Sequence, residues 1–394
     1  MQKQKKILFY VSATVPRSAG DGKSAFNFAN AIQNLGFKTT LLTLNKNRIL
    51  HSKETIEDID IVRIPYFNQT VFQKIYSRFI ALPYFISNIL KHDLVIIYGS
   101  VMSHRLLIIL AKLFGKKIIF RSTLINYDDF NFLLNVNYIS KIYRKFVYTR
   151  INGYFAINPS FSNIYIEFFG QNRMIFKSAQ GVDINLFNDI NLNNKKNLKN
   201  RLRISPDKTI IISIGMLIQR KGYREIFETL QSLNQDFQYL IIGHFEDTED
   251  YFSKDIQAEM TELYNLGKEK LGDKICFLGP KENIAEYLQC ADIFLHNSNQ
   301  EGTPNVLLEA MACGIPSVVR SLDGIDNYIV KNGVDGFIFK NEFEMILQIN
   351  DLISNSELRS KIGVNAQKYI QENFDINIVA RKFVNQFIYN ILEE

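Results

Sequence analysis

Short apolar runs alternate with longer amphipathic ones along this chain, and they do so in two separate series. In the first series, ILFYV, TTLLTL, DIVRI, DLVIIYG, KIIFRST and GYFAI read as strands, with helical segments between most of them. Around residues 181 to 206 the composition turns polar and asparagine-rich. A second series then follows: TIIISIG, MLIQRKGYREIFETLQSL, FQYLIIG, KICFLG, AEYLQCA and DIFLHNS, ahead of EGTPNVLLEAMACGIPSVV. Residues 365 to 392 read as helical. Alternation of this kind specifies βαβ units on a parallel sheet, and 394 residues exceed what one core usually supports. The expectation is two doubly wound α/β domains facing across a cleft, with ligands beyond the carboxyl ends of the strands. The first would span residues 1–185 and the second 186–370, and a C-terminal helix, 371–394, would pack back on the first.

The turn after the first strand reads PRSAGDGKSAF, residues 16–26. Gly-Asp-Gly-Lys-Ser looks like half of an ATPase phosphate loop. That loop needs a glycine where this chain has Arg17, so the match fails. What remains is a glycine-containing strand-to-helix turn. Apolar spacing at Ala25, Phe28, Ala29 and Ile32 predicts a helix over 24–35, closed by Gly36. Such a turn can offer backbone N–H groups to an anion or simply connect a strand to a helix.

Composition limits the classes that remain. The apolar fraction of 46% and charged fraction of 22% are those of a globular protein. Cys276, Cys290 and Cys313 form no CxxC pair and sit in apolar patterns, which predicts buried thiols and no metal site. The basic start, MQKQKK, leads into a strand without a cleavage site, so a cytoplasmic protein is expected. No apolar run reaches the roughly 18 residues of a spanning helix. The nearest, Ile75 to Leu90, is interrupted by Arg78 and Pro83 and flanked by Lys74 and Lys91. It reads either as a packed helix pair or as a segment resting on a membrane surface. Residues 1–190 hold 24 Lys and Arg against 11 Asp and Glu, whereas the remainder holds 22 against 29. With no nucleic-acid-binding motif, the basic half points to an anionic lipid surface or anionic substrate, not to nucleic acid.

The stretch NSNQEGTPNVLLEAMACGIPSVV, residues 297–319, carries the chemistry. Thr303 and Pro304 read as an N-cap and the first helical position. Gly314 then ends the helix, and Pro316 prevents its continuation. The N–H groups of Asn305 and Val306, with the helix dipole behind them, suit a phosphate or diphosphate. Glu301 precedes the cap and Glu309 follows within the helix, so both can border a ligand lying along its start.

The E-x7-E pattern in this block resembles the donor site of the retaining family 4 glycosyltransferases, which have the GT-B fold. The resemblance extends over most of the chain. GMLIQRKG (215–222) is similar to the family's glycine, basic, leucine and lysine-glycine turn, and QGVDINLF (180–187) to its valine-aspartate signature. KICFLG, ADIFLHNS and NGVDGFIF are similar to its later strands and loops, SAGDGKSAFNFANAIQNLGF to its first glycine loop and helix, and FRSTLINYDD (120–129) to a segment of its bacterial polysaccharide-biosynthesis members. It implies two Rossmann-like domains, acceptor-side first and nucleotide-sugar-binding second. Glu309 would bind the ribose hydroxyls, and Glu301 the hydroxyls of the donor sugar. Gly302, Thr303, Pro304, Asn305, Val306 and Ser298 would line the diphosphate and sugar, together with Gly215 and with Gly20 and Gly22 of the first loop. Lys221 would neutralise the leaving diphosphate, assisted by Arg220, because Met216 stands where the family often has arginine.

The implied reaction moves a hexose from a nucleotide-diphosphate sugar, UDP favoured and GDP second, to a hydroxyl of a polysaccharide or lipid-linked oligosaccharide. Configuration would be retained, with neither metal nor cofactor and with peripheral contact on the inner face of the cell membrane. A nucleotide-sugar epimerase of the same fold and a non-catalytic nucleotide-sugar-binding partner of another transferase are the alternatives.

Overall fold

The computed structural model describes residues 4–15, 20–46, 50–67, 70–246 and 252–393. Residues 16–19, which include Arg17 and Ala19 of the first loop, lie outside the described residues. The chain divides into two compact units, Met1–Gly181 with Ile376–Glu394, and Val182–Asp375.

The first unit runs β1 (Lys6–Tyr10), α1 (Gly20–Gln33), β2 (Lys38–Lys46), β3 (Lys53–Ile56), β4 (Ile59–Tyr66), α2 (Val71–Lys91), β5 (Leu94–Tyr98), α3 (His104–Leu113), β6 (Lys117–Arg121), α4 (Phe130–Leu133), α5 (Tyr138–Tyr148), β7 (Gly153–Ala156), α6 (Pro159–Phe169) and β8 (Met174–Lys177). Its sheet has the order β3-β4-β2-β1-β5-β6-β7-β8. Every pairing is parallel except β3 with β4. The central strands are apolar without alternation, as LVIIY in β5 shows, because helices cover both faces and all five side chains are buried. The chain reverses its direction of winding between β1 and β5. Right-handed crossovers therefore put α1 on one face and α2, α3 and α5 on the other.

Three sequence expectations change here. Helix α1 begins at Gly20, four residues early, so Gly20 and Gly22 occupy its first turn. The β3–β4 hairpin was not expected; its two-residue turn, Glu57 and Asp58, has both φ values positive, at 48° and 61°. The 75–90 segment is neither a helix pair nor broken: α2 is one helix of 21 residues with Pro83 inside it. Pro83 lies on the exposed side, where water can serve the carbonyl whose hydrogen bond the imide nitrogen cannot supply.

The second unit runs α7 (Leu192–Arg201), β9 (Thr209–Ile214), α8 (Tyr223–Gln231), β10 (Phe237–Ile242), α9 (Lys254–Leu271), β11 (Ile275–Gly279), α10 (Ile284–Cys290), β12 (Ile293–His296), α11 (Asn305–Ala312), β13 (Ser317–Arg320), β14 (Phe337–Phe339), α12 (Glu342–Ser354) and α13 (Ser356–Asn373). Its sheet, β11-β10-β9-β12-β13-β14, is parallel throughout, and winding reverses between β9 and β12.

The boundaries sit a few residues from the expected 185/186 and 370/371. The Val182 N–H donates to the Phe374 carbonyl at 2.8 Å within the second unit. Gly181, at φ +82°, lies so close to Ile376 that a Cβ would come within 2.8 Å of its Cα. The chain changes unit at these adjacent points. Beyond them α14 (Ile376–Phe383), a π turn (Val384–Ile388) and α15 (Tyr389–Glu393) belong to the first unit. Phe383 packs there against Phe28, Phe155 and Phe176, and Gly153 leaves the room that Phe387 and Ile391 fill.

Candidate functional site

In an open α/β sheet, the loops on either side of the winding reversal part at the carboxyl edge and leave a ligand site. In the second unit those loops follow β9 and β12. The first leaves β9 through Gly215 (φ +155°), turns through a short 3-10 segment, Gln219–Lys221, and enters α8 at Gly222 (φ +67°). The second runs from Asn297 to Pro304 and enters α11.

Backbone bonds staple the two loops together. The Asn299 N–H donates to the Arg220 carbonyl at 2.8 Å, and the Asn297 side-chain amide to the Gly222 carbonyl at 2.8 Å. The approach is so close that a Cβ at Gly222 would stand 2.2 Å from the Asn297 carbonyl oxygen. Gly222 is therefore required twice, by its left-handed backbone and by its neighbour.

Stapling brings Lys221 to Glu301. The ammonium lies 2.5 Å from Glu301 Oε1, with both side chains largely buried at 16% and 11% exposure. Arg220 reaches to 3.7 Å of the same oxygen while donating to the Gln300 carbonyl at 2.6 Å. His296, buried at the last position of β12, places Nε2 3.5 Å from it, longer than a good hydrogen bond. Burial alone would raise the Glu301 carboxyl. The Lys221 charge, with His296 behind it, overcomes that effect and holds the group far below the usual carboxylate range. Burial likewise lowers His296, and Glu301 only partly offsets it. The centre is thus an ionised carboxylate in direct contact with Lys221, with Arg220 and a neutral imidazole beside it.

Other expected positions fall into place with two corrections. Helix α11 starts at Asn305 with Pro304, not Thr303, as its N-cap. Pro304 keeps an extended ψ of 113°, and its carbonyl, not that of Thr303, receives the first helical bonds from Leu307 and Leu308. Ser298 is fully buried, and its hydroxyl sits 3.2 Å from the Arg220 and Gln300 carbonyls, so it braces the loop instead of facing a ligand. Gly302 and Thr303 are buried beside Pro304, while Asn305 and Val306 at the helix start are partly exposed. Glu309 is buried among Leu307, Leu308, Ala310 and Met311. Gly215 lies against the aliphatic stem of Lys221 and has its carbonyl held by the Tyr223 hydroxyl at 3.0 Å. Met216 packs on the second unit's core. Gly20 and Gly22 belong to the first unit, where the Thr14 hydroxyl donates to the Gly22 carbonyl at 3.3 Å.

Sequence reading passed over His296 and Asn297. A histidine at the carboxyl end of a buried strand, in DIFLHNS, was the available signal, since that edge is where such sheets place functional groups. Among the described residues, no group of three or more His, Cys, Asp or Glu side chains gathers as a metal site would.

Fold and site together define a GT-B protein: two Rossmann-like domains, the second bearing a basic, carboxylate-paired site where its sheet reverses winding. Over residues 194–369 the chain matches the family model described as glycosyl transferases group 1. It is 28% identical over 182 residues to the N,N'-diacetylbacillosaminyl-diphospho-undecaprenol alpha-1,3-N-acetylgalactosaminyltransferase of Campylobacter jejuni, covering 46% of this chain and 44% of that one. The chain spans about half the length of curated relatives such as this. Among solved structures, the sucrose-phosphate synthase of Thermosynechococcus elongatus superposes with a TM-score of 0.82 at 15% identity, over 99% of this chain and 100% of that one. HepE of Anabaena, in complex with UDP and glucose, does so at 0.78 and 16% identity, over 98% and 100%.

Proposed function

We propose that the protein is a retaining, metal-independent family 4 glycosyltransferase that moves a hexose from a nucleotide-diphosphate sugar to a hydroxyl of a lipid-linked oligosaccharide or polysaccharide. The observation that carries this reading is the Lys221–Glu301 pair, 2.5 Å apart, at the reversal point of the second sheet and just before the start of α11. A diphosphate at that helix start takes Lys221 as its counter-ion, and Glu301, released from the lysine, accepts hydrogen bonds from sugar hydroxyls. Charge building on the leaving diphosphate is met by Lys221, by Arg220 and by the helix dipole, all positioned before reaction. Glu309 receives the ribose hydroxyls. The acceptor hydroxyl attacks the anomeric carbon on the face that the diphosphate leaves; its oxygen bonds to that carbon, the carbon–phosphate oxygen bond breaks, and the departing diphosphate takes the proton. The Campylobacter relative, whose name specifies a diphospho-undecaprenol acceptor, supports a lipid-linked acceptor, and the bound UDP of the Anabaena structure supports UDP as the carrier.

The test is a panel of nucleotide sugars screened by thermal shift, since a tight binder raises the melting temperature by mass action. The best binder is then followed by NMR with and without glycan acceptors in the presence of EDTA. Acceptor-dependent release of nucleoside diphosphate with an α-donor yielding an α-linkage is expected. Loss of turnover in EDTA, or an inverted product, overturns the mechanism. A changed sugar nucleotide formed without acceptor identifies an epimerase, and binding without any turnover identifies a non-catalytic partner.

A further inference from the structure

Among the described residues, the first unit carries an exposed apolar surface. On α5 the exposed apolar residues are Tyr138, Ile139, Ile142, Tyr143 and Phe146, with Ile139 81% exposed. On the first half of α2 they are Val71, Phe72, Ile75, Tyr76 and Phe79, with Phe72 77% exposed. The two sets have the same spacing: a first residue, then one, four, five and eight further on. At 3.6 residues per turn each forms a stripe roughly 140° wide. Exposed cations stand at matching places too, three and seven residues after the first: Lys74 and Arg78 on α2, Lys141 and Lys145 on α5. Long basic side chains at the edge of an apolar stripe can lay their stems along it and keep their charge in water.

The surroundings are equally one-sided. From Lys74 to Arg150 the chain holds 12 Lys and Arg but only three acids, Asp93, Asp128 and Asp129. Asp128 and Asp129 are buried. Asp93 is half-buried at the amino edge of β5, where it accepts from the Lys6 N–H at 2.8 Å. No exposed carboxylate therefore faces these helices from their own segment. Helices α2 and α5 follow β4 and β6 and so begin at the carboxyl edge of the sheet, on the same face, with α3 between them. The α2 stripe occupies the amino-terminal half of its helix, and the α5 stripe, Tyr138 to Phe146, runs along nearly the whole of α5. Tyr127 and Phe132, exposed and stacked at 6.2 Å in the segment after β6, extend the apolar surface at that edge.

We propose that this face, the amino-terminal half of α2 together with α5, seats the protein on an anionic bilayer. Apolar stripes with aromatic rings and flanking lysines, free of exposed acid, match the interfacial zone of a charged membrane: rings and aliphatic groups at the acyl boundary, cations among the headgroups. No described helix is long and apolar enough to cross a membrane, so the attachment is peripheral. It sets the carboxyl edge of the first sheet, the edge where such sheets take ligands, against the lipid. Taken with the proposed activity, a lipid-linked acceptor would present its glycan there without leaving the bilayer. The seating itself does not depend on that activity.

The test is flotation of the purified full-length chain with vesicles of phosphatidylcholine alone and of phosphatidylcholine with phosphatidylglycerol, without sugar nucleotide, so that its outcome is separate from that of the transferase reading. Binding to the anionic vesicles only, weakened by high salt, is expected. Lys141→Ala and Lys145→Ala should each weaken it about fivefold. Ile139→Glu/Ile142→Glu and Phe72→Glu/Phe79→Glu should each weaken it at least ~10-fold. These positions are exposed, so the circular dichroism spectrum and melting temperature should stay at wild-type values, and a variant that fails this control is replaced by Ile139→Ser/Ile142→Ser. The proposal is overturned if neither vesicle binds, if both bind equally, or if the substitutions leave binding intact. It is equally overturned if sedimentation velocity shows a dimer that the same substitutions dissolve while vesicles are ignored, which would assign the face to a second copy of the chain.

Discussion

Replacing Lys221 by methionine should destabilise the second domain by about 2–3 kcal/mol at pH 7. Methionine keeps an apolar stem against Gly215, so the change isolates the charge. At an effective dielectric constant of about 20, unit charges 2.5 Å apart attract by roughly 7 kcal/mol before desolvation is subtracted. Loss of one partner from a buried pair usually costs about 3–5 kcal/mol, because the other charge is left behind. Here Arg220 remains 3.7 Å from Glu301, but it is 34% exposed and shared with the Gln300 carbonyl, so it recovers only part of the loss. The double variant Lys221→Met/Glu301→Gln removes both charges and should lie within about 1 kcal/mol of wild type. A pH comparison sharpens the test. In the wild type Glu301 is held below its unfolded value, so its contribution is complete above about pH 4.3 and fades only as pH falls below that. Without Lys221, burial dominates and the carboxyl rises above its unfolded value. The single variant should then regain stability relative to the double variant as pH falls from 7 to 5. Urea unfolding of the wild type, Lys221→Met, Glu301→Gln and the double variant at both pH values measures this. Additive single effects, or a single variant that loses ground on acidification, would refute the pairing.

Two further predictions concern histidines. Burial lowers His104 to about 4, with Nδ1 donating to the Val101 carbonyl and Nε2 facing the Tyr148 hydroxyl, both at 2.8 Å. The unfolded chain therefore takes up the proton first, and stability should fall by up to ~3 kcal/mol as pH drops from about 6.5 to 4; His104→Gln should flatten that part of the urea-midpoint profile, and an unchanged slope would discard the assignment. His296→Phe removes a neighbour of Glu301 while the Lys221–Glu301 pair stays in place, so calorimetry should show UDP binding unchanged and UDP-sugar binding weakened roughly fivefold; equal losses for both ligands would mean that the histidine acts only on the fold.

Much of the architecture was legible because burial on both faces leaves parallel strands as unbroken apolar runs, and DLVIIYG and TIIISIG needed little else. The β3–β4 hairpin escaped because Glu57 and Asp58 adopt left-handed conformations that Asn-Gly usually announces, so the local signal named no turn. Helix α2 was misjudged for a different reason. Proline reads as a breaker, yet its cost depends on whether the orphaned carbonyl faces protein or water, and sequence does not say which. The capping box at its start, with Gln73 N–H donating to the Thr70 hydroxyl and the Gln73 side chain accepting from the Thr70 N–H, was a local rule that could have anchored it.

The same distinction separates what was readable in the site from what was not. Glu301, Lys221 and Glu309 declared themselves because charged residues in apolar or turn settings need a reason. His296 and Asn297 became functional candidates only when two loops, more than 70 residues apart in sequence, closed on each other at one end of one sheet. His296 faces Glu301, and the Asn297 amide holds the Gly222 carbonyl. A residue that acts by holding another in place leaves no chemical signature in its own flanking sequence. Its role is defined by the pair of strands that bring the loops together. In this chain those strands are β9 and β12, and their parallel pairing at Ile211–Ile293 and Ile212–Phe294 is what sets Lys221 against Glu301.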